Sequence, residues 1–201
     1  SPKMTGEEIE RYIQKKLKRK NTLLRINDKN LSDEGVAYLA NSSLLRTVST
    51  LILYKGNFGD EGVRALAGSK NLGRLTALFL ENNNITDQGV NYISNSDVFS
   101  KLKILNLYHN LISDKGAGLI ANSDKLSRLE QLNLNYNQIH GPGAIALTHS
   151  KKLNNLKNIQ LTYNPIERSA KDAWKRFQLM EWFKDLDRAN KLNEVGEGLI
   201  G

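Results

Sequence analysis

The sequence contains no cysteine, which excludes disulfides, thiol nucleophiles and cysteine-ligated zinc within these residues. Repeat proteins outside the cell often need disulfides at their ends, so this absence favours a reducing compartment and predicts a cytoplasmic location. No apolar run approaches the ~20 residues of a membrane helix. Only three histidines occur, His109, His140 and His149, and they lack metal-ligand spacing. No P-loop, serine-hydrolase or zinc-protease motif occurs either, so we expect no catalysis, cofactor or metal.

A unit of constant length repeats along the chain. Leucine or isoleucine recurs every 27 residues, and a second apolar position follows two residues later in every unit. The first column is Leu24, Leu51, Leu78, Leu105, Leu132 and Ile159. A glycine column, Gly35, Gly62, Gly89, Gly116 and Gly143, has the same period. Repetition of this length predicts a solenoid of stacked units.

Each unit combines a strand with a helix. The alternating L-x-L segment predicts a short strand with one buried face, and the following apolar residues have helical spacing. Ser32, Thr86 and Ser113 are candidate N-caps. Aspartates at the same helix starts would compensate the dipole of their own helix, and they are Asp33, Asp60, Asp87 and Asp114. Stacking then predicts a parallel sheet on one side and helices on the other.

These residues resemble the leucine-rich repeat family, whose pattern is L-x-x-L-x-L-x-x-N-x-I/L. Leu75, Leu78, Leu80, Asn83 and Ile85 fit this pattern in full. The helical segments resemble the ribonuclease-inhibitor class, and the Asn- and Lys-rich composition resembles bacterial repeat proteins such as secreted Legionella effectors. The resemblance implies an α/β horseshoe that recognises a protein partner through its concave face; for an effector, that partner and the cytoplasm would be the host's.

The family asparagine should satisfy backbone groups where the chain turns after each strand. Asn83, Asn110, Asn137 and Asn164 occupy this position in the last four repeats. Lys29 and Gly56 replace asparagine in the first two repeats. We therefore predict a looser, more irregular turn at the N-terminal end.

Both ends of the solenoid need caps. We predict an N-terminal capping helix in residues 1–20, six repeats in residues 21–175, and a C-terminal capping helix with a tail in residues 176–201, forming one structural domain. Thr5 and Glu8 read as a capping box. A C-terminal stripe at helical spacing would close the stack, and its members are Trp174, Phe177, Met180, Phe183 and Leu186.

The residues between the buried leucines should face the concave side. Several are apolar or aromatic although solvent gives no reason for it, and such patches mark interaction sites. The predicted partner-binding residues are Ile52, Tyr54, Phe79, Glu81, Ile104, Tyr108, His109, Tyr136 and Tyr163. The competing interpretation is ordinary β-propensity, which favours the same residue types in strands.

Charge supplies an alternative function. The net charge is +8, and the N-terminal helix contains the basic run Lys15, Lys16, Lys18, Arg19 and Lys20. This run could attract nucleic acid or an anionic surface, although a solvated face of the capping helix is the favoured explanation. The sequence therefore favours a monomeric, non-catalytic protein-binding scaffold over nucleic-acid binding.

Overall fold

The computed structural model describes residues 1–18 and 21–166, and in this range strands and helices alternate along the chain. The strands are β1 (Leu23–Arg25), β2 (Thr50–Ile52), β3 (Ala77–Phe79), β4 (Ile104–Asn106), β5 (Gln131–Asn133) and β6 (Asn158–Gln160). The α-helices are α1 (Gly6–Lys16), α2 (Ser32–Asn41), α3 (Asp60–Ala67), α4 (Asp87–Ser94), α5 (Asp114–Ala121) and α6 (Gly141–Thr148). Two 3₁₀-helices, Ser43–Thr47 and Asp97–Phe99, precede β2 and β4.

The six strands form one parallel sheet in chain order, as the repeat predicted. Each residue pairs with the residue one repeat further on, so that Leu24 lies beside Leu51 and Leu51 beside Leu78. Backbone pairing continues beyond the strands, because the Asp28 amide donates to the Tyr54 carbonyl at 2.9 Å and the Asn82 amide to the Tyr108 carbonyl at 3.0 Å. Equivalent residues therefore form straight rows across the sheet.

The core lies between the sheet and the helices. The central residue of every strand is buried, and so is the apolar residue two positions later, as at Leu105 and Leu107. Val90 and Ile93 of α4 close the same layer from the helical side. Burial of each such side chain contributes about 1.5–3 kcal/mol, which holds each unit against its neighbours.

Helix α1 covers the N-terminal end of this core. Thr5 and Glu8 form the predicted capping box, and Ile9 and Ile13 are fully buried against the first repeat. The Tyr12 hydroxyl donates to the Arg25 carbonyl at 3.3 Å and so occupies part of the free edge of β1. The predicted C-terminal helix and its aromatic stripe lie outside the described residues.

The asparagine ladder forms as predicted. Asn110 Nδ2 donates to the Leu80 and Leu107 carbonyls at 3.0 and 3.1 Å, and Asn110 Oδ1 accepts from the Ile85 amide at 3.1 Å. Each asparagine therefore satisfies the turn of its own repeat and that of the preceding repeat. Because these backbone groups are buried, the amide replaces ladder bonds that the turn cannot make.

The first two turns are irregular, as expected from the missing asparagine. Each contains a second residue with positive φ, Ser32 at 57° and Asn57 at 55°, whereas the later described turns have one such residue each. Asn83 reaches back to the second turn, where its Oδ1 accepts from the Gly56 amide at 2.9 Å. The turn at Gly56 is thus held by the following repeat.

The helix-start aspartates lie in the first turn of their own helices, as predicted, and they also bind the start of the next helix. Asp87 begins α4, yet its Oδ1 accepts from the Ser113 and Gly116 amides of α5 at 2.8 and 3.0 Å. Asp60 bonds in the same way to the Thr86 and Gly89 amides at 2.8 and 3.0 Å. The sequence interpretation placed each aspartate at the start of its own helix, as the structure has it for Asp87, but it missed the bonds to the next helix. Each carboxylate caps the next repeat, because stacking brings that helix's free amides beside it.

Four glycines of the column, Gly62, Gly89, Gly116 and Gly143, follow from this contact, whereas Gly35 faces Ile9 and Leu31. A Cβ on Gly116 would lie 2.4 Å from Asp87 Oδ1, so only glycine admits the carboxylate. The predicted serine N-caps are also corrected. Thr86 does cap α4 through the Gln88 amide, but the Ser113 hydroxyl instead donates to Asp87 Oδ2, and Ser32 lies within α2, which has no side-chain cap.

Candidate functional site

Four rows of side chains line the sheet face; they start at Leu23, Arg25, Asn27 and Asp28 and continue at every 27th residue, and the fourth row has an unusual backbone. Its members, Asp28, Lys55, Asn82, His109, Tyr136 and Tyr163, all have φ between 52° and 59°. Asparagine, aspartate and histidine tolerate this left-handed conformation, whereas lysine and tyrosine adopt it at a cost of about 1–2 kcal/mol. Strained positions of this kind are enriched at functional sites, so the two tyrosines stand out.

Four of the predicted residues form an aromatic cluster. The Tyr136 and Tyr163 rings stack with centroids 4.2 Å apart, and Tyr108 meets Tyr136 edge-on at 5.2 Å. His109 packs against Tyr136 at 6.0 Å and its Nδ1 lies 2.5 Å from Asn82 Oδ1. Each ring pair contributes about 0.5–1.5 kcal/mol, which offsets the backbone cost of the left-handed turns.

The cluster remains open to solvent. Tyr163 is 64% exposed and Tyr136 is 39% exposed. Partial desolvation and the neighbouring Tyr163 raise the pKa of Tyr136 above its ordinary value. An exposed set of rings with polar tips can bury apolar area and donate hydrogen bonds at the same time.

Three other predicted residues form a separate apolar group. Ile52, Phe79 and Ile104 are half-buried rather than fully exposed, because adjacent strands about 4.8 Å apart partly cover them. Phe79 and Ile104 line a shallow depression of about 170 Å³ that amide side chains of β4–β6 complete. Tyr54 belongs to the same row as Tyr108 but lies two repeats away, and among the described residues it makes no ring contact with the cluster.

Glu81 is the one predicted carboxylate in these rows. Asn106 Nδ2 donates to Glu81 Oε1 at 2.9 Å, while the buried Oε2 has no hydrogen-bond partner among the described residues. Burial raises the pKa of Glu81, and a hydrogen bond with its own backbone and the charge of Arg25 act in the opposite direction without reversing the shift. Glu81 therefore ends the apolar region with a carboxylate that is poorly satisfied in the free protein.

The amides on β4–β6 were absent from the sequence-based site. Asn106, Gln131, Asn133, Asn158 and Gln160 occupy the first two rows of these strands, beside the aromatic cluster. Their signal was present in the sequence as a loss of charge, since the four rows contain no Asp, Glu, Lys or Arg from Ile104 onward. The sequence-based site was chosen from apolar and aromatic residues, so these amides were missed.

The alternative basic surface has structural explanations. Lys15 and Lys16 lie in the last turn of α1, where they compensate the helix dipole, and Lys16 Nζ lies 5.4 Å from the Tyr12 ring centroid. Lys18 is exposed, whereas Arg19 and Lys20 lie outside the described residues.

The described part of the chain contains no candidate metal site and no candidate membrane-spanning helix. In residues 1–18 and 21–166 no group of three acidic or histidine side chains could hold a metal ion. His140 and His149 flank α6 as its N-cap and C-cap. Among the same residues no helix has the length and apolarity needed to cross a membrane.

Comparisons with known proteins agree with this architecture. A family model described as "Leucine Rich repeat" matches residues 75–94, 100–121 and 126–147. A solved structure of "Leiomodin-1 Actin-Binding Site 2" is similar with a TM-score of 0.52 at 17% identity, over 89% of this chain and 96% of that chain. An internalin from Listeria monocytogenes has a TM-score of 0.38 at 23% identity, over 72% of this chain and 48% of that chain. The search of curated proteins finds no match. The similarity to the leiomodin structure concerns the fold alone.

Proposed function

The chain folds as a leucine-rich repeat solenoid, and we propose that it is a non-catalytic scaffold that binds a protein through the concave face of its sheet. The aromatic cluster carries this proposal. All six repeats have positive φ at this position, so the turn belongs to the fold, but the fold does not require a tyrosine there. Tyr136 and Tyr163 nevertheless occupy it and expose stacked rings. Repeats of this family are generally protein-interaction scaffolds.

The size of the face is sufficient for a specific complex. Six strands about 4.8 Å apart span ~24 Å, which suits an interface of ~800 Å² on each partner. Tyrosine is enriched among residues that dominate binding energy, so Tyr136 and Tyr163 are the proposed energetic centre.

Affinity capture from candidate lysates tests this function with three proteins. The wild type is compared with the Tyr136→Ser/Tyr163→Ser double variant and with Tyr38→Ser, which alters an exposed tyrosine on α2 away from the sheet. We expect proteins bound by the wild type and by Tyr38→Ser to be lost from the double variant. Equal capture by all three would refute the proposed surface.

Three finer aspects of the proposal follow from the sequence. The helices opposite the sheet support assignment to the ribonuclease-inhibitor-like class, and the absence of cysteine supports a cytoplasmic site of action. Composition alone suggests a bacterial effector acting on a host protein, so that origin stays a prediction. Detection of the chain outside its producing cell, in a host cytoplasm, would test the origin and the location together.

A further inference from the structure

We propose that the partner presents an extended, uncharged peptide segment with an aliphatic side chain, bound across β4–β6 by the amides of Gln131, Asn133 and Gln160. This inference rests on the proposed function and specifies the chemistry of the segment that contacts the sheet. Three observations support it: the absence of charge on this half of the face, the amide side chains, and the apolar depression beside them.

The rows on β4–β6 and their following turns are uncharged, although a quarter of all residues in the protein are charged. The rows on β1–β3 and their turns, in contrast, contain Arg25, Asp28, Lys55 and Glu81. A charged ligand would find no opposite charge in the C-terminal half and would lose its hydration there. The surface therefore fits a neutral segment and disfavours phosphate-bearing ligands such as nucleic acid.

The amide side chains present both donors and acceptors. Asn133 Oδ1 accepts from the Asn135 amide at 3.0 Å, which fixes the side chain and leaves its Nδ2 without a bond to any described residue. Gln131 makes no side-chain hydrogen bond within the described residues, and Gln160 accepts only a long contact of 3.5 Å from Asn135. Primary amides can pair with the alternating N–H and C=O groups of an extended backbone.

The depression distinguishes a peptide from a neutral sugar. Phe79 and Ile104 supply its apolar wall, and the amides of Gln131, Asn133 and Gln160 complete it. An aliphatic side chain can enter against the apolar wall while its own backbone reaches the amides. A sugar offers hydroxyl groups in every direction and would leave some of them facing Phe79 and Ile104 without partners.

Selection of a random linear peptide library on the full chain, displayed on phage, tests the proposal. We expect enriched peptides that lack charged residues and share an aliphatic position. The Kd of one enriched synthetic peptide is then measured by fluorescence anisotropy. Asn133→Asp places a charge in the neutral rows with almost no change of shape, and we expect it to weaken binding at least about tenfold.

The matched control is Asn154→Asp, the same replacement at an exposed position in the loop before β6, which should bind the peptide as the wild type does. Ile104→Ser removes part of the apolar wall and should also weaken binding. Circular dichroism establishes whether each variant is folded. If Ile104→Ser does not fold, Asn133→Asp still tests the inference.

Several results would overturn the inference. These are enrichment of acidic or basic peptides, no enrichment, or binding to an array of neutral oligosaccharides in place of peptides. If lysate capture still depends on Tyr136 and Tyr163 while peptide selection fails, the protein-binding function stands and only the extended uncharged segment is refuted. Loss of both results would refute the function itself.

Discussion

Gly116 and Gly118 lie two residues apart in α5 and should respond in opposite ways to alanine. Alanine normally stabilises a helix by up to about 1 kcal/mol relative to glycine. A Cβ at position 118 meets nothing within 4 Å, so Gly118→Ala should show that gain. At position 116 the Cβ would lie 2.4 Å from Asp87 Oδ1 and 2.7 Å from Ile112 Cγ2, closer than any stable contact.

The magnitude at Gly116 follows from what the carboxylate must give up. Relief of the clash displaces Asp87, whose Oδ1 accepts from the Ser113 and Gly116 amides at 2.8 and 3.0 Å. Loss of such a cap costs about 0.5–2 kcal/mol. We therefore expect Gly116→Ala to lower the free energy of unfolding by about 2 kcal/mol, against a gain of up to about 1 kcal/mol at Gly118.

Urea denaturation of both variants measures the difference, and a double-mutant cycle identifies its cause. Asp87→Ala alone should also cost about 2 kcal/mol, but Gly116→Ala added to it should cost much less, because the carboxylate is gone. Equal stability of Gly116→Ala and Gly118→Ala would refute the close approach. Additive costs in the cycle would show that Asp87 is not what excludes the side chain.

Two further predictions concern buried polar groups. Asn110→Ala removes bonds to the turns of its own and the preceding repeat and should cost about 3 kcal/mol in urea denaturation. Asn122→Ala at an exposed helix end should cost under about 0.5 kcal/mol; equal costs would contradict the ladder. Because burial raises the pKa of Glu81, its ionised form destabilises the folded state above that pKa. Glu81→Gln should therefore have a higher Tm than the wild type at about pH 8, and the difference in Tm should shrink towards about pH 4. A difference in Tm that grows on acidification would contradict this prediction.

The constant repeat length made the sheet predictable. With no insertion, the residue 27 positions after Leu51 could only be its neighbour Leu78, and the structure has this pairing. The asparagine ladder was predictable for the same reason, since a buried turn needs donors and acceptors that asparagine supplies. Lys29 and Gly56, where that residue is missing, marked the two irregular turns in advance.

The aspartate contact was not predictable from one repeat, because every repeat offers an equivalent helix. The sequence does contain a longer signal. Gly116 follows Asp87 by 29 residues, and three other repeats keep this spacing. The next repeat has Gly141 in place of the aspartate, and Ala170 in place of glycine stands 29 residues later. Correlation between columns of different repeats would have identified the contact.

The left-handed row could be inferred only in part. Asp28, Asn82 and His109 are residue types that favour positive φ, but Tyr136 and Tyr163 in the same column conceal the pattern. Burial of Ile52, Phe79 and Ile104 was overlooked because it depends on neighbouring strands rather than on their own segments. The features that the sequence did not reveal all depend on contacts between neighbouring repeats.

The ladders also define how such a chain can change its length. In a middle repeat, the aspartate carboxylate hydrogen-bonds the following repeat, as Asp87 does, and the asparagine amide hydrogen-bonds the preceding repeat, as Asn110 does. Insertion of one complete repeat would supply both a donor and an acceptor for every hydrogen bond between neighbouring repeats. Insertion of part of a repeat would leave some of these hydrogen-bonding groups without a partner. The architecture therefore tolerates insertion or deletion of whole repeats.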